Sequence, residues 1–229
     1  GGKSIMYATI HRAAYKHFYG DNLGIRRPTA NGATKLCYKD ENGTGVFWGD
    51  WIDMGILPDI RVWGKDGGVY KTTEHIFSTT THELGHLSHW HLIGVDNYAL
   101  TGKKIYESWA DAVEWALTND EYHELGARFN VLAAKNYDCT HTNQLRWPFV
   151  TQKEYSPIFI DLIDDVNQRY KGAGYPNDLI TGYTLSYIQN NILRNSRGYS
   201  SLRDEVKSHK IAGVTDAMND ELFMLYWSN

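Results

Sequence analysis

Residues 73–94 read TEHIFSTTTHELGHLSHWHLIG, and the organisation of the chain follows from how this stretch folds. The run from Thr73 to Ile93 stops at Gly94, which predicts one long helix with a glycine terminator. Inside it stand His82, Glu83 and His86, in the spacing H-E-x-x-H. Two histidines four residues apart project from one face of a helix toward a single point, so their imidazoles can share one metal ion. Glu83 follows the first histidine directly and points to the side of that pair. There it can take a proton from metal-bound water instead of binding the ion. Zinc suits such a site because it lowers the pKa of that water.

A catalytic zinc ion has three protein ligands and one open position, so a third ligand is required. The longer pattern H-E-x-x-H-x-x-G-x-x-H fails, because His89 stands in place of its glycine and Leu92 in place of its last histidine. His89 and His91 continue the same helix, whose rise of about 1.5 Å per residue carries them away from a compact tetrahedral site. Glu107 belongs to the next helix, expected over about 103–118, in the run Tyr106-Glu107-Ser108-Trp109-Ala110-Asp111. That helix places Ile105, Trp109, Ala112, Val113, Ala116 and Leu117 on one apolar stripe and Glu and Asp on its outer face. A carboxylate from it completes a His2Glu set.

Glu107 and Asp111 stand in an E-x-x-x-D arrangement about twenty residues after His86, and with these residues the chain resembles the gluzincin zinc peptidases, the thermolysin-like group. The resemblance implies a zincin-like catalytic domain with Zn2+ held by His82, His86 and Glu107. It implies Glu83 as general base and Asp111 behind a ligand histidine, fixing its tautomer. It also implies that Tyr98, nine residues before Glu107, stabilises the tetrahedral intermediate. The activity implied is peptide-bond hydrolysis, on a peptide or protein substrate that includes glycoproteins. These motifs cover residues 73–115. The C-terminal histidine donor of the group has no counterpart in a motif, and His141, His209, Tyr155 and Tyr183 all stand open for that role. A different reading is a zincin-fold binding or scaffold module that keeps its metal without turnover; the intact Glu83 argues against it. A structural zinc site is a third, but such sites are usually closed and Cys-rich.

Composition narrows the classes. The 229 residues suffice to bury a sizeable core, and 8 Trp with 16 Tyr favour a folded chain with aromatic-lined surfaces. A net charge of -4 without a run of Lys or Arg sets nucleic acid aside as a partner. No stretch approaches the roughly 18 apolar residues of a membrane span. Gly1 reads as a residue left by processing, so the expectation is an extracytoplasmic protein, secreted or at the cell surface, whose targeting segment precedes this numbering. Cys37 and Cys139 match neither a zinc ribbon nor a redox motif, and read as two buried thiols or as one disulfide.

Around the central stretch, residues 4–19 predict an amphipathic helix ending at Gly20. Short β-prone runs follow at Thr34 to Tyr38, Val46 to Trp48, Ile60 to Trp63 and Val69 to Lys71, with Gly67-Gly68 as a turn and not a phosphate loop. Further helices are expected near 120–136, 157–171, 177–194, 200–210 and 215–227. The fold class is thus α+β. One domain spans 1–229, with a small mixed-sheet N-terminal lobe at about 1–94 and a mostly helical C-terminal lobe at 95–229. The H-E-x-x-H helix lies at their junction, beside an expected cleft. Asp161, Asp164 and Asp165 read as a solvated helix face with Phe159, Leu162, Ile163 and Val166 buried; the Gly and terminal Glu of an EF-hand loop are absent. Most tryptophans read as packing residues, with Trp90 the one nearest the ligands.

Overall fold

The computed structural model describes residues 2–28, 34–47, 59–124, 154–165, 167, 169 and 177–227. Within them the protein is mixed α and β, a small sheet with helices. Helix α1 (Gly2–Phe18) precedes a four-stranded sheet of β1 (Leu36–Asn42), β2 (Gly45–Phe47), β3 (Ile60–Asp66) and β4 (Val69–Tyr70). β3 is the centre of this sheet. β1 pairs with it in parallel, Leu36 opposite Ile60, and β2 pairs antiparallel on its other side, Phe47 opposite Ile60. β4 returns from β3 through Gly67 and Gly68, both at positive φ, a backbone that glycine adopts without strain. Alternation along β3 buries Ile60 and Val62, which join Tyr38 of β1 and Met6 and Ile10 of α1 in one apolar cluster.

Helix α2 (Thr73–Ile93) is the expected long helix. The Thr72 side chain accepts the His75 N–H at its start, and Gly94, at φ 81, donates its own N–H to Trp90 O at its end. Ile76, Leu84 and Leu87 pack into the sheet-side cluster, while Leu92 and Ile93 join the core on the other side. A helix covered from both sides has no solvated stripe, which is why α2 buries Ser78, Thr79, Thr80 and Thr81 along with its apolar residues. Three of these hydroxyls bond inside the helix: Ser78 Oγ donates to His75 O at 3.0 Å, Thr80 Oγ1 to Ile76 O at 2.6 Å and Thr81 Oγ1 to Ser78 O at 2.9 Å.

After the short α3 (Val95–Ala99), α4 (Lys103–Glu124) packs along α2 and runs past its expected end at 118. α1 holds that extension. Lys16 Nζ lies 2.6 Å from Asp120 and 3.4 Å from Glu121, and Arg12 donates to the Tyr122 hydroxyl at 3.0 Å. The apolar stripe of α4 is buried as expected. Its acidic face is not an outer face, however, because Glu107, Asp111 and Glu114 are turned onto the histidines of α2. The crossing is close: a Cβ added at Gly85 would stand 3.1 Å from Ala110 Cα and 3.2 Å from Val113 Cβ.

The C-terminal half departs further from expectation. Where a helix is expected over 157–171, the described residues 157–165 hold one turn, α5 (Ile158–Asp161). The chain beyond it bonds across to residues 182–183, Gly182 N–H to Ile163 O and Tyr183 N–H to Leu162 O, and so leaves the helical path. Asp161 and Asp164 are therefore buried and not on a solvated face, while Ile163 is only partly buried. The helix expected at 177–194 begins where Thr184 accepts the Tyr187 N–H, as α6 (Leu185–Tyr187), and continues through a π turn (Ile188–Ile192) into a 3-10 turn (Leu193–Asn195). α7 (Tyr199–Ser208) and α8 (Asp216–Trp227) follow. These elements enclose a second core, in which Ile105, Trp109 and Leu117 of α4 meet Phe159, Ile188, Leu202 and Phe223.

Cys139, His141, Trp48, Trp51, Val166 and most of the helix expected over 120–136 lie outside the described residues. No helix among the described residues is long and apolar enough to cross a membrane.

His17 ties α1 to α2 through a 2.6 Å hydrogen bond with Ser88 Oγ, and its burial lowers its pKa from 6.5 to about 3. The unfolded chain then binds more protons than the folded one between those two values, so stability is complete above pH 6.5 and is lost as pH falls toward 3. Urea denaturation at a series of pH values should show a loss on the order of 4 kcal/mol over that window from this residue. A His17→Gln variant, which has no group to titrate there, should show a correspondingly flatter profile.

Candidate metal centre

His82 and His86 stand one helical turn apart on α2, and Glu107 faces them from α4. His82 Nε2 and His86 Nε2 are 3.1 Å apart, and each lies 3.3 Å from Glu107 Oε2. Ligands at the corners of a tetrahedron with bonds of about 2.0–2.1 Å are separated by about 3.3 Å. The triangle thus has the edge lengths of a four-coordinate metal site with one corner left over, and these three residues can hold a metal ion. Two imidazole nitrogens facing each other at this distance need a hydrogen or a metal between them. His89 and His91, the competing ligands in the sequence, are not part of the group. His89 is fully buried against the Tyr98 ring, and His91 sits edge-on to Trp90.

The outer nitrogens of both rings are engaged as well. His82 Nδ1 lies 3.1 Å from Asp111 Oδ1 and 3.1 Å from Glu114 Oε2. An imidazole that offers Nε2 to a metal carries its proton on Nδ1, and here two carboxylates stand ready to accept it. Glu114 was not singled out in the sequence. Its signal was there to find, since it continues the Glu107, Asp111 spacing by one further turn of α4. His86 Nδ1 lies 3.1 Å from the Tyr98 hydroxyl. The Tyr98 hydroxyl thus meets the edge of the His86 ring away from Nε2. In the metal-binding tautomer the Tyr98 oxygen accepts from Nδ1–H.

Burial acts on every group of the centre, and charged neighbours reverse its effect at two of them. It works to lower His82, but the carboxylates of Asp111, Glu107 and Glu114 outweigh it and hold the imidazole well above its ordinary value. For Glu107 burial is overcome in the other sense, and His82 and His86 keep its carboxyl ionised far below the usual range. Asp111, enclosed beside other carboxylates, is pushed up by burial. Glu83 is buried between α2 and the sheet, and burial raises it to about 7 while the Phe47 N–H bond to its carboxylate opposes the rise. Strand β2 closes over it so tightly that any Cβ at Gly45 would collide with the Glu83 carboxylate and the Thr79 methyl.

Aromatic rings complete the surroundings. Phe47 stacks on His86, Tyr106 meets the same imidazole edge-on, and Tyr98 stacks on Tyr106. Trp90 packs against Phe47 in the sheet-side cluster, a packing role. Tyr155, one of the donors left open by the sequence, is half-buried just before α5. Burial first, and then Glu107 and Asp111, push its phenol above its ordinary value, so it stays protonated. Tyr183, a second such donor, is buried in the C-terminal core with its hydroxyl toward His209 O.

No protein-family model matches the chain, and no curated protein or solved structure is significantly similar to it. The centre is therefore read from its own residues.

Asp111 and Glu114 share one imidazole N–H, so each can stand in for the other. Asp111→Asn and Glu114→Gln should each weaken metal retention only slightly, and the double variant by about 10–100-fold, in competition with a chromophoric chelator. A double variant that holds zinc like the parent would remove both carboxylates from the centre.

Proposed function

We propose that the protein is a zinc-dependent hydrolase of the gluzincin type, a zincin-like catalytic domain that cleaves peptide bonds. The observation that carries this reading is the triangle of His82 Nε2, His86 Nε2 and Glu107 Oε2, with its tetrahedral edge lengths and with Glu83 next to it in the chain. Two imidazoles and one carboxylate are a donor set that suits zinc and leaves a coordination position open. A zinc ion held there supplies Lewis acidity, acidifying water and polarising a carbonyl.

The chain's own residues do the rest. Glu83 takes the proton of the attacking water on its carboxylate and delivers it to the leaving amine, and the Phe47 N–H bonds to that carboxylate. Asp111 and Glu114 hold the His82 ring, and Tyr98 holds the His86 ring, so that both Nε2 atoms converge. The Tyr155 phenol, which burial and the charges of Glu107 and Asp111 keep protonated, is available as a donor to a developing oxyanion. A peptide substrate is supported by β2, which is at the edge of the sheet among the described residues and lies over Glu83: an extended peptide is what a strand edge accepts.

Glu83→Gln should lower turnover of a peptide substrate by about 10²–10⁴-fold while zinc content stays at that of the parent. Parent-like turnover in this variant would reject Glu83 as the base. A zinc-loaded parent that hydrolyses nothing in a broad peptide and glycopeptide library would favour the binding or scaffold module instead.

A further inference from the structure

Three carboxylates meet in the C-terminal half, away from the residues of the H-E-x-x-H centre. Asp161 ends α5, Asp164 follows it by three residues, and Asp178 comes from the segment that returns to α6. All three are buried, at 0%, 7% and 4% exposure. One oxygen from each lies within 4.8 Å of one oxygen from each of the others. Carboxylates crowded this closely out of water repel one another unless a proton or a cation lies among them.

Asp178 adds an observation of its own. Its Oδ1 accepts the Ile180 N–H at 3.0 Å, which fixes the side chain, while its Oδ2 is buried with no hydrogen-bond partner among the described residues. A buried carboxylate oxygen held in place and left without a donor is costly unless something outside the chain satisfies it. The two limbs that bring the acids together are also tied independently of them. Asn167 Nδ2 donates to Asn177 Oδ1 at 2.9 Å, and Tyr183 N–H to Leu162 O at 3.1 Å.

We propose that Asp161, Asp164 and Asp178 form a binding site for Ca2+, a second metal site independent of the first. The donor chemistry selects the ion. Three carboxylates without a His or Cys suit a hard cation and not zinc. A buried cage of protein oxygens, each carboxylate binding through one or both atoms, suits Ca2+ better than Mg2+, which keeps several of its waters. Bound there, the ion clips residues 161–164 to residue 178. The consequence reaches the first centre through packing: Phe159 of α5 meets Trp109 edge-on, and Ser156 N–H donates to Ser108 Oγ at 2.8 Å, beside Glu107 on α4. Calcium would thus stiffen the core against which the Glu107 helix rests.

The test uses zinc-loaded protein, so that calcium is counted at the second site alone. Equilibrium dialysis against Ca2+ with elemental analysis should find one calcium per chain. Tm should rise by about 5–10 °C when Ca2+ is present at a hundredfold excess over its Kd, and by less with Mg2+ at the same concentration. Asp178→Asn removes one charge from the crowded group. Its Tm should equal or exceed that of the calcium-free parent, and it should bind Ca2+ at least tenfold more weakly. Absence of bound calcium in the parent overturns the proposal whatever the variants do. So does binding that Asp178→Asn and Asp161→Asn leave unchanged. Zinc content and peptide hydrolysis are read separately, so failure here leaves the reading of the first centre untouched.

Discussion

Where α4 crosses α2, Gly85 stands so close to Ala110 and Val113 that even a Cβ there would press on both. Helix pairs usually lie about 8–10 Å apart, and small residues at the crossing set the short end of that range. The short approach has a direct chemical result. His82 and His86 flank Gly85 on α2, and the acidic stripe of α4 runs past them, so Glu107 reaches both Nε2 atoms while Asp111 and Glu114 reach His82 Nδ1. A larger residue at position 85 would press on the helix that carries Glu107, Asp111 and Glu114. The glycine in the middle of the H-E-x-x-H run is thus a packing residue on which the chemistry depends.

Burial gives the centre its electrical character. α2 is enclosed by α1 and the sheet on one flank and by α4 on the other, so its histidines and Glu83 lie out of water and their charges are set by one another. Two imidazoles, three carboxylates from α4 and Glu83 make an arrangement rich in acidic groups, which a divalent cation would offset. The same logic recurs at Asp161, Asp164 and Asp178, where the donors are all oxygen and the favoured ion changes accordingly.

Helices with strong periodicity and a clear stop were legible in the sequence. α1, α2, α7, α8 and most of α4 stand where their patterns put them, and four short β-prone runs became the four strands. Those over 157–171 and 177–194 were not, because their apolar residues pack as helical ones would while their backbone takes other partners. Ile163 and Leu162 accept from Gly182 and Tyr183, and Thr184 caps the helix that does form. Sequence periodicity reports burial, and a buried turn produces the same pattern as a short helix. Asp161 was misread for the same reason: an aspartate among apolar neighbours looks like the wet side of a helix until another segment, carrying Asp178, folds over it.

By itself the sequence determined the local geometry of the centre: two imidazoles on one helical face, a glutamate beside them, and a carboxylate pair one turn apart on the following helix, since each follows from a repeat of 3.6 residues per turn. Tertiary structure alone decided which way those faces turn. It brought the acidic stripe of α4 inward, added Glu114 to His82, placed the Tyr98 hydroxyl behind His86 and laid β2 over Glu83. The physical reason is that a helix specifies the relation of its own side chains to one another, whereas the partner of each face is chosen by packing between segments far apart in the chain, here at a glycine that admits a close neighbour.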